Sequence, residues 1–251
     1  MPVLVLIRHG QSVSVADRKF SGWEDTQLTK YGTQQSYRAG KILVQSHITF
    51  DAIYTSYLKR AHETATQIAS ALNWESPVIK TDWRLNERHY GALQGQLRAE
   101  ATKTYGTESI KIWRRNFRGR PPKLSVEHPS HPRNSEKYKD VAPDLLPSTE
   151  SMRDAALRAN RWWMEVGAPK IEQGTNLLIV AHTASVRGIT KTIENLSDDE
   201  AGSFRVPTAI PIMYRLSKDS EILQKTVLGR SLSERVHRAL QRLCIELTPR
   251  K

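Results

Sequence analysis

Two short runs of apolar residues in this chain each stop abruptly at a histidine. Residues 3–7 read Val-Leu-Val-Leu-Ile and are followed by Arg8 and His9. Residues 175–181 end in Leu-Leu-Ile-Val-Ala and are followed by His182. Apolar runs of this kind predict strands that are buried on both faces, as in parallel sheets. We therefore expect both histidines at the carboxyl edge of a sheet, where open α/β folds bind their ligands.

The remaining apolar periodicity predicts that strands and helices alternate along the chain. This order is typical of an α/β fold with three layers, in which a mainly parallel central sheet is flanked by helices. Further strands are expected at 50–56, 78–79 and 212–216, and helices at 30–44, 57–72, 98–105, 108–116, 150–165 and 183–194.

Hydroxyl residues indicate where several helices begin. Ser56 directly precedes the helix predicted at 57–72 and is expected to cap it. A Ser-x-x-Glu capping box begins at Ser197 and predicts a short helix. A second box begins at Ser231 and opens an amphipathic C-terminal helix over 231–247.

Prolines interrupt the pattern between residues 118 and 147, which leaves no room for long regular elements. We interpret this stretch as an irregular excursion near the mouth of a pocket. His128 and His131 lie in it, but no second pair of ligands completes a metal site, so no metal is expected. Without repeats or an interdomain linker, residues 1–251 are predicted to form a single domain.

Composition narrows the class of protein. The chain of 251 residues is 38% hydrophobic with a mean hydropathy of −0.54. No apolar run reaches the roughly 18 residues that a membrane span needs, so no membrane association is expected. The first strand follows Met1 and Pro2 with no charged leader. The single cysteine, Cys244, has no internal disulfide partner, which favours a reducing compartment, and the cytoplasm is the expected location.

A formal net charge of +12 indicates an acidic partner. Nucleic acid, an anionic membrane surface and a small polyanionic substrate all fit such a charge. The cations are spread along the chain with a local excess at 114–120, and no nucleic-acid-binding motif accompanies them. Nucleic-acid binding is therefore disfavoured.

Four residues are candidates for chemistry on an anion. Arg8 beside His9 joins a guanidinium to an imidazole, which suits a phosphoryl group. Arg60 lies in the first turn of a helix, where the helix dipole disfavours a cation, so it either reaches a bound anion or is an exposed surface arginine. Glu87 lies among arginines and is either a general acid/base or part of a structural ion pair.

Several longer motifs resemble one known family. The chain is similar to the histidine phosphatase superfamily and, within it, to the cofactor-dependent phosphoglycerate mutases, over about residues 3–229. The segments Arg-Leu-Asn-Glu-Arg-His-Tyr-Gly at 84–91 and Ile-Trp-Arg-Arg at 112–115 are typical of the mutase branch. The other matching stretches are 6–12, 20–23, 54–56 and 60–61.

The resemblance implies a phosphohistidine mechanism. His9 would be the nucleophile, while Arg8, Arg60 and His182 would surround the transferring phosphoryl group. Glu87 would move the proton of the sugar-acid hydroxyl. The residues implied to bind the substrate's carboxylate and second phosphate, or to lie beside them, are Ser12, Ser21, Gly22, Arg88, Tyr90, Arg98, Arg114, Arg115 and Thr183.

The resemblance also implies an activity, a primer and a partner. The expected reaction interconverts 2- and 3-phosphoglycerate in glycolysis and gluconeogenesis, with 2,3-bisphosphoglycerate as phosphoryl primer and no metal. The partners would be small phosphorylated sugar acids, and a homodimer is suggested. A histidine-type phosphatase, or a catalytically weakened paralogue that acts as a binding protein, are the alternatives.

Several positions depart from the mutase pattern, among them Arg98, which stands where the family usually has a lysine. Val15 and Ala184 replace asparagines, Thr183 replaces a glycine beside the phosphate, and Ala209 replaces a glycine. Each lost hydrogen bond to a charged group costs on the order of 1.5–3 kcal/mol. These substitutions therefore predict weakened catalysis unless neighbouring groups compensate.

Overall fold

Within residues 1–229, the centre of the fold is a six-stranded sheet with the strand order β3-β2-β4-β1-β5-β6. The computed structural model describes residues 1–229. The four strands from β3 to β1 run parallel, whereas β5 and β6 are antiparallel to their neighbours, so the sheet is mainly parallel as predicted. The strands are β1 (Val3–Arg8), β2 (Ala52–Thr55), β3 (Ile79–Thr81), β4 (Leu177–Ala181), β5 (Ile212–Leu216) and β6 (Ile222–Val227).

Helices cover both faces of this sheet. Alternate residues of β1 separate into two clusters: Val5 packs with Leu43 and Ile68 on one face, and Leu6 packs with Trp162 on the other. The predicted three-layer arrangement is therefore confirmed. The helices are α1 (Val13–Ala16), α2 (Lys30–Val44), α3 (Lys59–Ala71), α4 (Arg98–Tyr105), α5 (Thr107–Arg115), α6 (Met152–Trp162), α7 (Ala168–Glu172), α8 (Thr183–Ile193) and α9 (Asp198–Ser203).

Strands β1 and β4 end side by side. Arg8 pairs with Ala181 in register, and the backbone N–H of His9 donates to the carbonyl of Ala181 at 3.0 Å. His182 follows Ala181 directly, so the two histidines leave the same edge of the sheet. The expectation drawn from the two apolar runs is confirmed.

The segment from 118 to 147 is irregular, as predicted. It contains three short 3₁₀ turns, and Tyr138 and Leu146 pack against Trp23 and Leu58. His131 is buried and its Nε2 lies 3.0 Å from the hydroxyl of Ser148. Among residues 1–229, no helix is long and apolar enough to cross a membrane.

Two predictions about helices are wrong. The third helix begins at Lys59 rather than at residue 57, and its N-cap is Leu58. The Ser56 hydroxyl accepts from the N–H of Leu58 and also contacts His182. The helix predicted over 150–165 begins at Met152 and ends at the fully buried Trp162, after which the chain continues as a π turn.

Strand β6 is not predicted from the sequence, because its side chains are largely exposed and show no apolar run. The short helix α1 also went unpredicted. The C-terminal helix predicted at 231–247 and Cys244 lie outside the described residues.

Candidate active site

A cavity of about 250 Å³ lies at the carboxyl ends of β1 and β4. Six cationic side chains and one carboxylate line it, so its charge is strongly positive. Its lining residues are Arg8, His9, Val15, Lys19, Phe20, Ser21, Gly22, Arg60, Glu87, Tyr90, Arg98, Arg114, Met152, Thr183 and Arg187.

His9 is held as a neutral imidazole with one nitrogen free to react. Its Nδ1 lies 2.6 Å from the carbonyl oxygen of Gly10, which can only accept, so Nδ1 carries the proton. Nε2 is therefore unprotonated and accepts from the Nε of Arg60 at 3.3 Å. Burial, followed by the charges of Arg60 and Arg8, lowers the pKa of His9 well below its usual 6.5.

The turn after His9 depends on the missing side chain of Gly10. A Cβ at this position would collide with the carbonyl oxygen of Gly32 and the hydroxyl of Ser36, both on α2. The N–H of Gly10 donates to the Thr64 hydroxyl on α3 at 3.1 Å. Two helices therefore hold the carbonyl that fixes the proton of His9.

His182 lies against His9 with ring centroids 4.9 Å apart and an interplanar angle of 59°. The Ser56 hydroxyl accepts from the N–H of Leu58 at 3.1 Å and lies 2.7 Å from Nε2 of His182. Nδ1 of His182 has no hydrogen-bond partner within residues 1–229. Burial, followed by the charge of Arg60, lowers the pKa of His182 well below 6.5.

Arg60 is almost fully buried, and its guanidinium is fixed by backbone carbonyls. It donates to the carbonyls of Glu24 and Gly22, each at 2.8 Å, besides its bond to His9. Burial lowers its pKa from 12.5 to about 10, and the carboxylate of Glu87 opposes this shift. Arg60 therefore remains a cation at neutral pH. Of its two sequence interpretations, the structure supports the one that places it at the site.

Several buried side-chain nitrogens in or near the cavity have no hydrogen-bond partner within the described chain. Arg8 and Arg98, each with an unpartnered Nε, line the cavity, whereas Nε and Nη2 of Arg88 and Nδ1 of His182 belong to residues packed behind it. Buried donors left unpaired are costly, and those of the lining arginines lie beside a cationic cavity. This arrangement fits a ligand with more than one anionic group, such as a bisphosphorylated acid.

Glu87 supplies the carboxylate of the cavity. Its Oε1 accepts from the backbone N–H of Arg88 at 2.9 Å and from that of Ala184 at 3.1 Å. The second contact is at the N-terminus of α8, where a negative charge is favoured. Glu87 makes no salt bridge to another side chain within residues 1–229, so the alternative of a structural ion pair is not supported.

Four predicted site residues do not line the cavity. His182 is fully buried beneath it, in contact with His9, and Ser12 is a buried N-cap of α1 that accepts from the N–H of Val15. Arg88 is buried behind the Tyr90 ring, with its guanidinium 4.4 Å from the ring centroid. Arg115 instead lines an adjoining groove.

The sequence analysis missed four lining residues: Lys19, Phe20, Met152 and Arg187. Arg187 could have been found, because it lies four residues after Thr183 and so shares its helix face. No sequence signal pointed to Lys19 or Met152, which reach the cavity through tertiary packing.

The positions that depart from the mutase pattern differ in their surroundings. Val15 and Thr183 line the cavity, where each changes its chemistry. Ala184 is fully buried in an apolar cluster with Phe117 and Met152, so its side chain does not face the cavity. Ala209 has a φ of 50°, in the left-handed region that favours glycine, and its N–H donates to the carbonyl of Arg8 at 2.9 Å.

A larger groove of about 950 Å³ adjoins the cavity between α5 and α9. Arg114 and Arg187 line both spaces, so the groove and the cavity share a cationic wall. Asp198 lies on the opposite side and is paired with Arg118 and Lys191.

A neutral, buried histidine with one free ring nitrogen, next to a second histidine and inside a set of fixed arginines, defines a site for phosphoryl transfer through a phosphohistidine. The chain belongs to the histidine phosphatase superfamily (branch 1), whose family model matches residues 4–133. The identification made from the motifs is confirmed.

Two curated proteins are similar to this chain over most of its length. A 2,3-bisphosphoglycerate-dependent phosphoglycerate mutase of Parabacteroides distasonis is 38% identical over 229 residues, which cover 91% of this chain and 92% of that protein. A protein of the same description from Elusimicrobium minutum is 36% identical, with the same coverage of both chains.

Solved structures share the fold. A mycobacterial glucosyl-3-phosphoglycerate phosphatase in complex with VO3 is 21% identical with a TM-score of 0.67, covering 90% of this chain and 97% of that one. An alpha-ribazole phosphatase from Shigella flexneri is 20% identical with a TM-score of 0.67, covering 91% and 96%.

Proposed function

We propose that the protein is a 2,3-bisphosphoglycerate-dependent phosphoglycerate mutase, which interconverts 2- and 3-phosphoglycerate through a phosphohistidine at His9. The observation that carries this proposal is the tautomer of His9, whose unprotonated Nε2 opens into a cationic cavity. The mutase relatives, at 36–38% identity over most of the chain, support the choice of substrate.

In the proposed reaction, the lone pair of His9 Nε2 forms a bond to phosphorus while the bond from phosphorus to the sugar-acid oxygen breaks. The transferring group spreads negative charge over three equatorial oxygens. Arg8 and Arg60 line the cavity and supply cationic donors for this charge, and we propose that His182, which contacts His9, assists them. Glu87 gives its proton to the leaving oxygen and takes it back when the other hydroxyl attacks phospho-His9.

The outer cations bind the rest of the substrate. Arg98 and Arg114 line the cavity with the polar groups of Ser21, Tyr90 and Thr183, and we propose that they hold the carboxylate and the second phosphate. When bound, 2,3-bisphosphoglycerate supplies the phosphoryl group that primes His9. We further propose that the reaction takes place in the cytoplasm, that the protein forms a homodimer, and that activity persists in EDTA.

The test is phosphoryl labelling of the purified protein with 2,3-bisphosphoglycerate, followed by an assay of phosphoglycerate isomerisation. We expect an acid-labile label on the wild-type protein and isomerisation that depends on the primer. His9→Ala should lose both. Release of free phosphate without isomerisation would identify a phosphatase instead, and a wild-type protein that takes up no label would indicate a binding protein.

A further inference from the structure

The segment that carries Glu87 has no regular secondary structure of its own. Residues 86–90 lie between two 3₁₀ turns, at 83–85 and 91–93. Backbone carbonyls in such a segment need partners from elsewhere when they are buried. The position of Glu87 therefore depends on the groups that supply those partners.

Arg158 on α6 supplies two of these partners and also bonds to the 3₁₀ turn that precedes the segment. Its Nη1 donates to the carbonyl oxygen of Arg84 at 2.7 Å and also reaches those of Asn86 at 3.2 Å and Trp83 at 3.3 Å. Its Nη2 donates to the carbonyl of Glu87 itself at 3.1 Å. One buried guanidinium thus contacts four backbone carbonyls between Trp83 and Glu87.

Glu150 fixes both Arg158 and the other side of the segment. Its carboxylate accepts from Nε and Nη2 of Arg158 at 2.8 and 2.9 Å. The same carboxylate accepts from the N–H of His89 at 2.8 Å, and the N–H of Glu150 donates to the carbonyl of His89 at 2.8 Å. The pair therefore anchors the chain immediately before and after Glu87.

We propose that Arg158 and Glu150 are positioning residues, which hold the carboxyl group of Glu87 where it can exchange a proton with the substrate. A buried ion pair is by itself weak evidence for stability, because desolvation offsets its attraction. Here the geometry gives it a different use, since general acid/base catalysis requires the carboxyl within hydrogen-bond reach of the reacting oxygen. The inference rests on the role of Glu87 in the proposed function.

Two phosphoryl donors separate positioning of Glu87 from general support of the fold. With 2,3-bisphosphoglycerate, the bond to His9 Nε2 forms as the bond to the sugar-acid oxygen breaks, and that oxygen takes a proton from Glu87. With acetyl phosphate, acetate leaves with the electron pair of the broken bond and needs no proton. Misplacement of Glu87 should therefore slow only the first reaction.

The experiment measures the rate at which each donor labels His9 in Arg158→Lys and Glu150→Gln. Lysine keeps a positive charge beside Glu150, so this variant is expected to fold, but it cannot reach four carbonyls at once. We expect labelling by 2,3-bisphosphoglycerate to slow on the order of 10²-fold, as for a reacting group displaced by about 1 Å. Labelling by acetyl phosphate should stay within about twofold of the wild type. The matched control is Arg161→Lys on the exposed face of the same helix, which should change neither rate.

Glu87→Gln separates failure of this inference from failure of the proposed function. If Glu87→Gln slows both donors equally or slows neither, the acid/base role of Glu87 is wrong. If Glu87→Gln slows only 2,3-bisphosphoglycerate while Arg158→Lys slows both donors equally or neither, the positioning role is overturned and Glu87 keeps its role.

Discussion

The ends of β1 and β4 carry the same sequence pattern but differ in chemistry. Both strands are buried apolar runs that deliver a histidine to one edge of the sheet. At the end of β1, the Gly10 carbonyl accepts a hydrogen bond from His9 Nδ1–H, which leaves Nε2 unprotonated beside Arg60. At the end of β4, the Ser56 hydroxyl contacts Nε2 of His182, whose Nδ1 has no hydrogen-bond partner in the described chain.

This difference favours different roles for the two histidines. A nucleophile needs an unprotonated nitrogen at the cavity, which His9 provides, whereas His182 contacts His9 without lining the cavity and is proposed to stabilise the transferring charge. The apolar run before each histidine determines only its position at the edge of the sheet. The groups that contact its ring determine its chemical role.

The sharpest test of this comparison is to remove each imidazole in turn. His9→Ala should abolish labelling by 2,3-bisphosphoglycerate, because no other group can form the bond to phosphorus. His182→Ala should still be labelled, but about 10²–10³ times more slowly, as for loss of one donor to developing charge. Rapid-quench measurement of the label checks both, and equal rates in the two variants would refute the division of roles.

Lowering the pH should destabilise the protein, because protonation of His9 and of His182 is disfavoured in the folded state. Burial lowers the pKa of both His9 and His182 well below 6.5, so below that pH the unfolded chain binds more protons than the folded one. The stability that the two neutral histidines contribute is therefore fully present above about pH 6.5 and is lost as the pH decreases. Between roughly pH 5.5 and 4.5, each of the two histidines should steepen the loss of stability by at most about 1.4 kcal/mol per pH unit.

Urea unfolding of His9→Asn and His182→Asn at those two pH values checks this prediction. Each variant should show a shallower loss of stability than the wild type, by the contribution of one proton. An unchanged slope in either variant would mean that the histidine at that strand end is protonated in the folded state.

The smallest expected effects come from restoring an asparagine near each strand end. Val15 lines the cavity beside His9, so Val15→Asn adds a donor toward a bound phosphoryl group and should raise kcat about tenfold. Ala184 lies in an apolar cluster on α8, so Ala184→Asn should lower the free energy of unfolding by about 1–3 kcal/mol. Steady-state kinetics and thermal unfolding of both variants check the contrast, which equal gains in activity would contradict.

The sequence predicts the strands and helices that position this site better than the side chains that line its cavity. Apolar runs locate β1 and β4, and the capping box at Ser197 correctly predicts the start of α9. The local sequence predicts only that Ser56 bonds at the start of a helix, whereas its hydroxyl also contacts His182, a partner that only the fold supplies. Lys19 reaches the cavity from a loop, and such tertiary placement has no local sequence signal.

The same limit applies to the substitutions. The pattern of the mutases suggests that Val15 and Ala184 each remove a polar contact, but only the packing around them separates the two cases. Side-chain direction at the first turn of α8 depends on how that helix meets α6, which residue identity alone does not specify.

The contact between the turn at Gly10 and α2 links the active site to substitutions in that helix. A Cβ on Gly10 would strike the Gly32 carbonyl, and a Cβ on Gly32 would strike the carbonyl of Gln11, so the two backbones touch directly. Helix α2 contributes no side chain to the cavity, yet any shift of its first turn would move the oxygen that selects the reactive form of His9. Substitutions in α2, which does not line the cavity, should therefore be able to abolish or change the reactivity of His9.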